Sequence, residues 1–300
     1  MAASLKTVGE CLRWAARRLD RAGLAYGHGT DNPLDEAAWL VHHALGLPVD
    51  EPGRHLDTRV DARGRQRVRE LVEARIATRK PAAYLTGEAW FAGLPFYVDE
   101  RVIVPRSHLG PLIQEGLAPW LDPARPGRAL DLCTGSGCIA VALARHFPRL
   151  QVDASDLSTA ALAVAARNLR RHRVEDRVRL VQSDLYASLP AGPYDLILSN
   201  PPYVTEAAME RLPPEYRWEP RLALAGGADG LDLVRRIVAG ARARLAPRGL
   251  LLVEVGDARA AVEAALPDLP LTWLGDDEAG EVFLVHAADL PAAPPHPSRP

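Results

Sequence analysis

The chain has 300 residues, 48% hydrophobic and 25% charged, which is ordinary globular usage and enough for one large domain or two. A net charge of −2 excludes a broadly basic nucleic-acid binder, and three cysteines (Cys11, Cys133 and Cys138) exclude a secreted disulfide framework and point to a reducing compartment. The N-terminal "MAASLKTVGECLRWAARRLD" lacks a signal peptide's apolar core, and no run reaches the roughly 18 apolar residues of a membrane span, so the expectation is a cytoplasmic protein with no membrane contact.

Residues 1–88 read as a helical domain. Apolar residues recur at three and four in "VGECLRWAARRLDRAG", with Gly23 as the expected C-cap. "DEAAWLVHHALG" has acids in its first turn and Gly46 past its end, and "RQRVRELVEARIATR" supplies a third helix. His42 and His43, mid-helix, read as packed or solvated side chains. Over residues 89–104 the period changes. "WFAGLPFYVDERVIVPR" alternates apolar residues around a polar turn at Asp99–Glu100, which reads as a β-hairpin linker.

Residues 105–289 repeat strand, helix, strand. The apolar runs "RALDLC", "LQVDASD", "VRLVQSD", "YDLILSN" and "LLLVEVG" are separated by helical stretches such as "STAALAVAARNLRRH" and "GLDLVRRIVAGARARL". Near-continuous apolar strands imply a mostly parallel sheet covered on both faces, and "LTWLGD" and "EVFLVHA" bring it to seven strands. The fold class is therefore α/β. The Pro-rich end, residues 290–300, reads as a disordered tail.

In such a sheet ligands bind beyond the carboxyl ends of the strands, where strand order reverses. The first strand tip here is "DLCTGSGCIA", residues 131–140. Its glycines allow a tight turn and close approach of a ligand, and a helix expected from near Ser136 offers free amide groups. It lacks the Gly-Lys-Ser/Thr ending of a phosphate-binding Walker loop and the third glycine of a dinucleotide fingerprint. Asp156, at the second tip, is placed to accept from both ribose hydroxyls, or else to cap the next helix. Asp184 at the third tip can accept from an exocyclic amine with Leu185 packed on a flat base, or can be a turn acid. At the fourth tip, "SNPPYV" leaves a buried strand through two prolines, which remove two backbone donors and stiffen the turn.

A glycine loop, a ribose acid, a base-binding acid and an Asn-Pro-Pro-Tyr turn, in that order, look like the class of S-adenosylmethionine-dependent methyltransferases that methylate planar NH₂ groups. An amide or aniline-type nitrogen is a poor nucleophile because its lone pair is delocalised into the carbonyl or ring, so the turn alone does not separate a glutamine side chain from an adenine base. Acceptors at the Asn200 side-chain oxygen and the Pro201 carbonyl would draw the nitrogen's two hydrogens toward a tetrahedral arrangement, and Tyr203 would fix the plane of the group. This is positioning and electrostatic preorganisation, and it calls for no metal.

The stretches "AYGHGTDNPLDEAAWLVHHALGLP", "PAAYLTGEAWFAGLPFYVDERVIVPRS", "LDLCTGSGCIAVALA" and "LPPEYRWEPRLALAGGADGLDLVRRI" resemble the HemK/PrmC protein-glutamine methyltransferases over nearly all of residues 5–287. "HGTDN" (28–32), "VPRS" (104–107) and "LPPEYR" favour the branch that acts on large-subunit ribosomal protein uL3 over the branch that acts on peptide-chain release factors. His108, Gly110 and Trp218 depart from the family's usual pattern. The resemblance implies a Rossmann-like class I methyltransferase domain. The helical domain before it is the expected substrate-recognition surface, because a glutamine side chain is alike in every protein, and its alternative role is a stabilising cap over the sheet edge. The resemblance also implies S-adenosylmethionine as cofactor and S-adenosylhomocysteine as product. Cofactor contacts then fall on Asp131, Cys133, Thr134, Gly135, Ser136, Gly137, Asp156, Asp184, Leu185 and Asn200, and the target glutamine on Asn200, Pro201, Pro202 and Tyr203. The implied partner is a ribosomal protein, free or within a large-subunit precursor, with nucleic acid met only indirectly through such particles. The competing readings are an adenine-N6 methyltransferase acting on nucleic acid and a non-catalytic, cofactor-binding ribosome-assembly factor.

Overall fold

Three capped helices open the chain. Thr7 caps α1 (Val8–Arg21) by accepting from the Glu10 amide. Asn32 caps α2 (Pro33–Leu45), its Oδ1 accepting from both Leu34 N and Asp35 N at 3.0 Å, while Pro33 stands at the first helical position, where no amide hydrogen is needed. Gly46 ends α2 in the left-handed conformation, and Asp61 caps α3 (Ala62–Thr78). A short α4 (Ala82–Thr86) leads into a hairpin of β1 (Glu88–Phe91) and β2 (Leu94–Tyr97). The structure is a computed structural model that describes residues 5–48, 53–122, 127–190, 192–275 and 281–291; most of the proline-rich tail lies outside them.

The hairpin corrects one expectation. Its reversal falls at Ala92–Gly93, both at positive φ (48° and 73°), and its second strand ends at Tyr97. Asp99 and Glu100 follow the hairpin instead of turning it. The Asp99 carboxylate accepts from the Tyr97 hydroxyl (2.7 Å) and forks with Arg101, so their polarity marks exposure and not a change of direction.

The second half is a seven-stranded sheet: β3 (Gly127–Leu132), β4 (Leu150–Asp156), β5 (Val178–Gln182), β6 (Tyr194–Ser199), β7 (Leu245–Glu254), β8 (Thr272–Leu274) and β9 (Val282–His286). Strand order is β5-β4-β3-β6-β7-β9-β8, with only β9 antiparallel to its neighbours. Chain order runs outward from β3 to one edge and then restarts at β6, so the reversal lies between β3 and β6. Strand β7 starts at Leu245, earlier than its apolar run, so residues 242–245 do not extend the preceding helix.

Side-chain alternation explains why these strands are apolar throughout. Leu196, Leu198, Leu250 and Leu252 join the core under α5 (Leu109–Gln114) and α6 (Cys138–His146), while Ile197, Leu251 and Val253 join the opposite core under α9 (Asp232–Ala241) and α10 (Arg259–Ala265). Helix α7 (Thr159–His172) ties the halves together, contributing Ala161 and Val164 to the N-terminal core and Leu169 to the sheet core. A four-residue α8 (Glu206–Met209) lies between β6 and α9.

Buried charges also join the halves. Arg75 of α3 is fully buried; its Nε donates to Glu36 Oε1 (2.8 Å) and its Nη2 to the Ala25 carbonyl (3.0 Å). Glu215, from a 3-10 turn at Pro214–Trp218, is also fully buried. It accepts from Ala25 N (3.0 Å), pairs with Arg79 at 2.7 Å and lies 3.8 Å from Arg75. Burial pushes the Glu36 carboxyl up despite Arg75, so the pair is costly to assemble and costlier to break. Replacing Arg75 with Met should lower unfolding free energy by about 3–5 kcal/mol, because Glu36 is left buried without its cation. Urea denaturation of both proteins measures this, and a loss under about 1 kcal/mol would show that the network does not hold the halves together.

Candidate active site

The crevice at the β3–β6 reversal is built from four strand tips. After Leu132 the chain coils left-handed at Cys133 (φ 59°), Gly135 (54°) and Gly137 (79°), and α6 begins at Cys138, two residues later than expected. A Cβ on Gly137 would lie 3.1 Å from that of Ala165, whereas one on Gly135 would meet nothing within 4 Å. Gly137 therefore lets α6 pack on α7, and Gly135 faces open space.

Asp131, fully buried, holds this loop from beneath. Its Oδ2 accepts from Thr134 Oγ1 (2.5 Å) and Ala140 N (3.1 Å), and its Oδ1 has no partner among the described residues. Burial pushes its pKa up to about 7. The Ser136 carbonyl accepts from Asn168 Nδ2 (2.8 Å), and Thr134 N donates to the Ser155 carbonyl (2.9 Å). The predicted loop set thus divides in two. Cys133 and Gly135 line the cleft, while Asp131, Thr134, Ser136 and Gly137 frame the loop and are not among its lining residues.

Asp156 lines the cleft from the tip of β4. Its Oδ2 accepts from Gly135 N (2.9 Å) and its Oδ1 from Ser158 N (2.8 Å), while Ser158, and not Asp156, caps α7. Burial raises its pKa. Asp184 and Leu185 line the cleft beyond β5, with Leu185 at φ 48° and its carbonyl accepting from Ser183 Oγ (2.7 Å). Both Asp184 oxygens lie 2.8 Å from Arg236 Nη2, a partner that the sequence pattern did not indicate.

The Asn-Pro-Pro-Tyr turn follows β6 directly. Ser199 Oγ donates to the Leu132 carbonyl (2.9 Å), fixing the two strand ends side by side. Asn200 and Pro202 line two pockets: the cleft, with about 780 Å³ of empty space open to solvent, and a neighbour of about 610 Å³ that Pro201, Tyr203, Arg106 and Tyr216 also line. The turn is the wall between them. No hydrogen bond within the described residues engages the Asn200 side chain, which leaves its amide oxygen available.

Glycines that sequence reading left without a role hold this wall. A Cβ on Gly226 would sit 2.7 Å from Tyr203 Cα and 2.8 Å from the Pro202 carbonyl oxygen, and one on Gly256 2.8 Å from Tyr203 Cε2. Val204 N donates to the Leu224 carbonyl (2.9 Å) and Gly226 N to the Val204 carbonyl (2.8 Å), so "LAGG" is held against the turn by a single parallel bridge between Val204 and Ala225. The glycine-dense "AGGADG" was the available signal. Among the described residues no cluster of His, Cys, Asp or Glu could hold a metal ion, and no helix is long and apolar enough to cross a membrane.

Comparison with known proteins agrees with this geometry. Residues 115–212 match the family model "Methyltransferase small domain" and residues 10–87 match "PrmC N-terminal domain". Together with the sheet order and the strand-tip crevice, these matches define a class I methyltransferase carrying an N-terminal helical domain. Curated relatives from Bordetella pertussis (52% identical over 94% of this chain and 95% of that protein), Burkholderia pseudomallei (51%, 96% of each) and Bradyrhizobium diazoefficiens (49%, 95% and 92%) are each named ribosomal protein uL3 glutamine methyltransferase. The chain belongs to that family.

The buried Asp131 carboxyl generates a pH test. Its folded pKa, about 7, lies above the ordinary 3.8, so the folded chain holds a proton that the unfolded chain releases. Stability from this group is greatest at low pH and is lost as pH rises from about 4 to about 7. Asp131→Asn, neutral throughout and still able to accept from Thr134, should unfold with a shallower decline across that window. Parallel urea titrations at several pH values check this; identical slopes would refute the assignment.

Proposed function

We propose that this chain transfers a methyl group from S-adenosylmethionine to the side-chain amide nitrogen (N5) of a glutamine in ribosomal protein uL3. The observation that carries this reading is the position of Asn200–Tyr203 as the shared wall of two pockets, in a chain about half identical to proteins of that name. The cleft's residues suit the cofactor. Gly135 leaves open space where a nucleoside could approach the backbone, Asp156 supplies a carboxylate for ribose hydroxyls, and Leu185 offers an apolar surface beside Asp184 for an adenine. When bound, S-adenosylmethionine supplies a methyl carbon on a sulfonium and leaves as S-adenosylhomocysteine.

The second pocket receives the glutamine. Asn200 Oδ1 and the Pro201 carbonyl each accept one amide N–H, which turns the nitrogen lone pair toward the cleft. Tyr203 confines the amide plane. Burial raises its pKa, so its hydroxyl stays neutral and adds no charge beside the amide. Because the prolines, Ser199 and Gly226 hold the turn in place, the acceptors need no reorganisation during transfer. The proton lost from nitrogen passes to water, since a protonated amide is far too acidic to need a strong base. The N-terminal helical domain gives the recognition surface that a glutamine side chain, alike in every protein, cannot provide. A ribosomal substrate places the reaction in the cytoplasm, on free uL3 or on a large-subunit precursor.

Asn200→Ala should retain the fold and cofactor binding while lowering methyl transfer to uL3 by about a hundredfold or more. Single-turnover assays with labelled cofactor measure this, and near-normal turnover would exclude the amide-gripping role. Asp156→Ala should weaken S-adenosylmethionine binding by roughly ten- to a hundredfold, the scale of a lost charge-assisted acceptor. Calorimetric titration showing unchanged affinity would remove Asp156 from the ribose site. Mass spectrometry of uL3 and release-factor peptides, and of RNA nucleosides, from cells lacking the gene tests the substrate itself, and the missing methyl group is expected on uL3 alone.

A further inference from the structure

The glutamine pocket contains one cation, Arg106, amid mostly apolar surface. Its surroundings come from three distant stretches, "HGTDN", "VPRS" and "LPPEYR" with the residues just after it. Glu219, buried, takes Nη1 and Nη2 of Arg106 on its two carboxylate oxygens (2.5 and 2.8 Å) and also accepts from Val104 N (2.9 Å). A further Arg106 Nη1–H donates to the Val104 carbonyl (3.0 Å). The guanidinium lies over the Tyr216 ring at 5.7 Å, and buried His28 backs that ring at a centroid distance of 4.4 Å.

A guanidinium has five N–H donors in a fixed fork. Three are committed to Glu219 and Val104. The two that remain, on Nε and Nη2, are the parallel pair along one edge, and no partner for them is present among the described residues. The group keeps its geometry but not its net charge, because Glu219 neutralises it. An incoming carboxylate would be repelled by Glu219, whereas a neutral carbonyl would meet two oriented donors.

We infer that Arg106 is a substrate-binding residue that grips a backbone carbonyl of the peptide beside the target glutamine, and that Glu219, Tyr216 and His28 hold it in place for that purpose. The inference rests on the glutamine-methylation reading and deepens it. The site selects an extended segment whose carbonyl lies within reach when the side-chain amide is on Asn200, with apolar and not acidic neighbours. This supplies discrimination inside the pocket, in addition to any made by the N-terminal helices.

The test is steady-state methylation of purified uL3 by the full chain, with cofactor affinity measured separately. Arg106→Met combined with Glu219→Gln removes the donor pair without stranding a buried carboxylate. It should raise KM for uL3 by roughly 10- to 100-fold, the scale of hydrogen bonds to a charged donor, with kcat falling far less and cofactor affinity within twofold of the parent. Arg106→Lys, which keeps the charge but not the parallel pair, should fall between the two. It also serves as the test if the double variant melts below the assay temperature. An unchanged KM for uL3 in a folded variant overturns the role of Arg106 while leaving glutamine methylation intact. Absence of uL3 methylation by the parent chain itself overturns the underlying reading first.

Discussion

The site depends on the parallel pairing of β3 with β6 at the point where strand order reverses. Leu132 sits opposite Ser199 in that ladder, and the Ser199 hydroxyl closes the last gap by donating to the Leu132 carbonyl at 2.9 Å. The pairing sets the glycine-rich loop and the Asn-Pro-Pro-Tyr turn side by side, with no helix between them to fill the crevice. A one-residue slip would exchange every inward and outward side chain of β6, and with them both cores, so the hydrophobic pattern enforces the register that the chemistry needs.

A second constraint comes from the N-terminal half. Glu215 and Glu219 lie on one short turn, and each is buried among arginines from elsewhere: Arg75 and Arg79 of the helical domain for the first, Arg106 for the second. Trp218 between them donates to the Thr78 carbonyl (3.2 Å) and lies under Lys80. The same turn carries Tyr216 into the wall of the second pocket. The helical domain therefore helps to hold the wall of the second pocket, through charges that are costly to leave unpaired.

The strands and strand-tip loops could be read from sequence because burial on both faces leaves uninterrupted apolar runs, and because glycine and proline punctuate their ends. The hairpin turn is not legible in the sequence, because Asp99–Glu100 is the more polar stretch, whereas the real reversal uses Ala92 in a left-handed conformation that alanine does not advertise. Leu245–Glu254 reads short in sequence because Pro247, Arg248 and Gly249 interrupt it, and its ladder to β6 is irregular between Tyr194 and Leu196. At the site, spacing indicated which strand tips matter but not which side chains face the cleft. Asp131 and Asp156 look alike in sequence, yet one is sealed beneath the loop and the other lines the cavity. The buried carboxylates in "LPPEYRWEP" were not identifiable, because their burial depends on arginines contributed from far along the chain.

The proposed chemistry requires a stiff turn that offers two acceptors to one amide nitrogen. The most direct measurement is a crystal structure of the chain with S-adenosylhomocysteine and a glutamine-containing uL3 peptide. The glutamine nitrogen is expected within about 2.7–3.2 Å of both Asn200 Oδ1 and the Pro201 carbonyl oxygen, with the cofactor sulfur on the cleft side of Asn200. A glutamine amide bound elsewhere, or one that reaches the turn with Asn200 turned away from it, would rule this chemistry out.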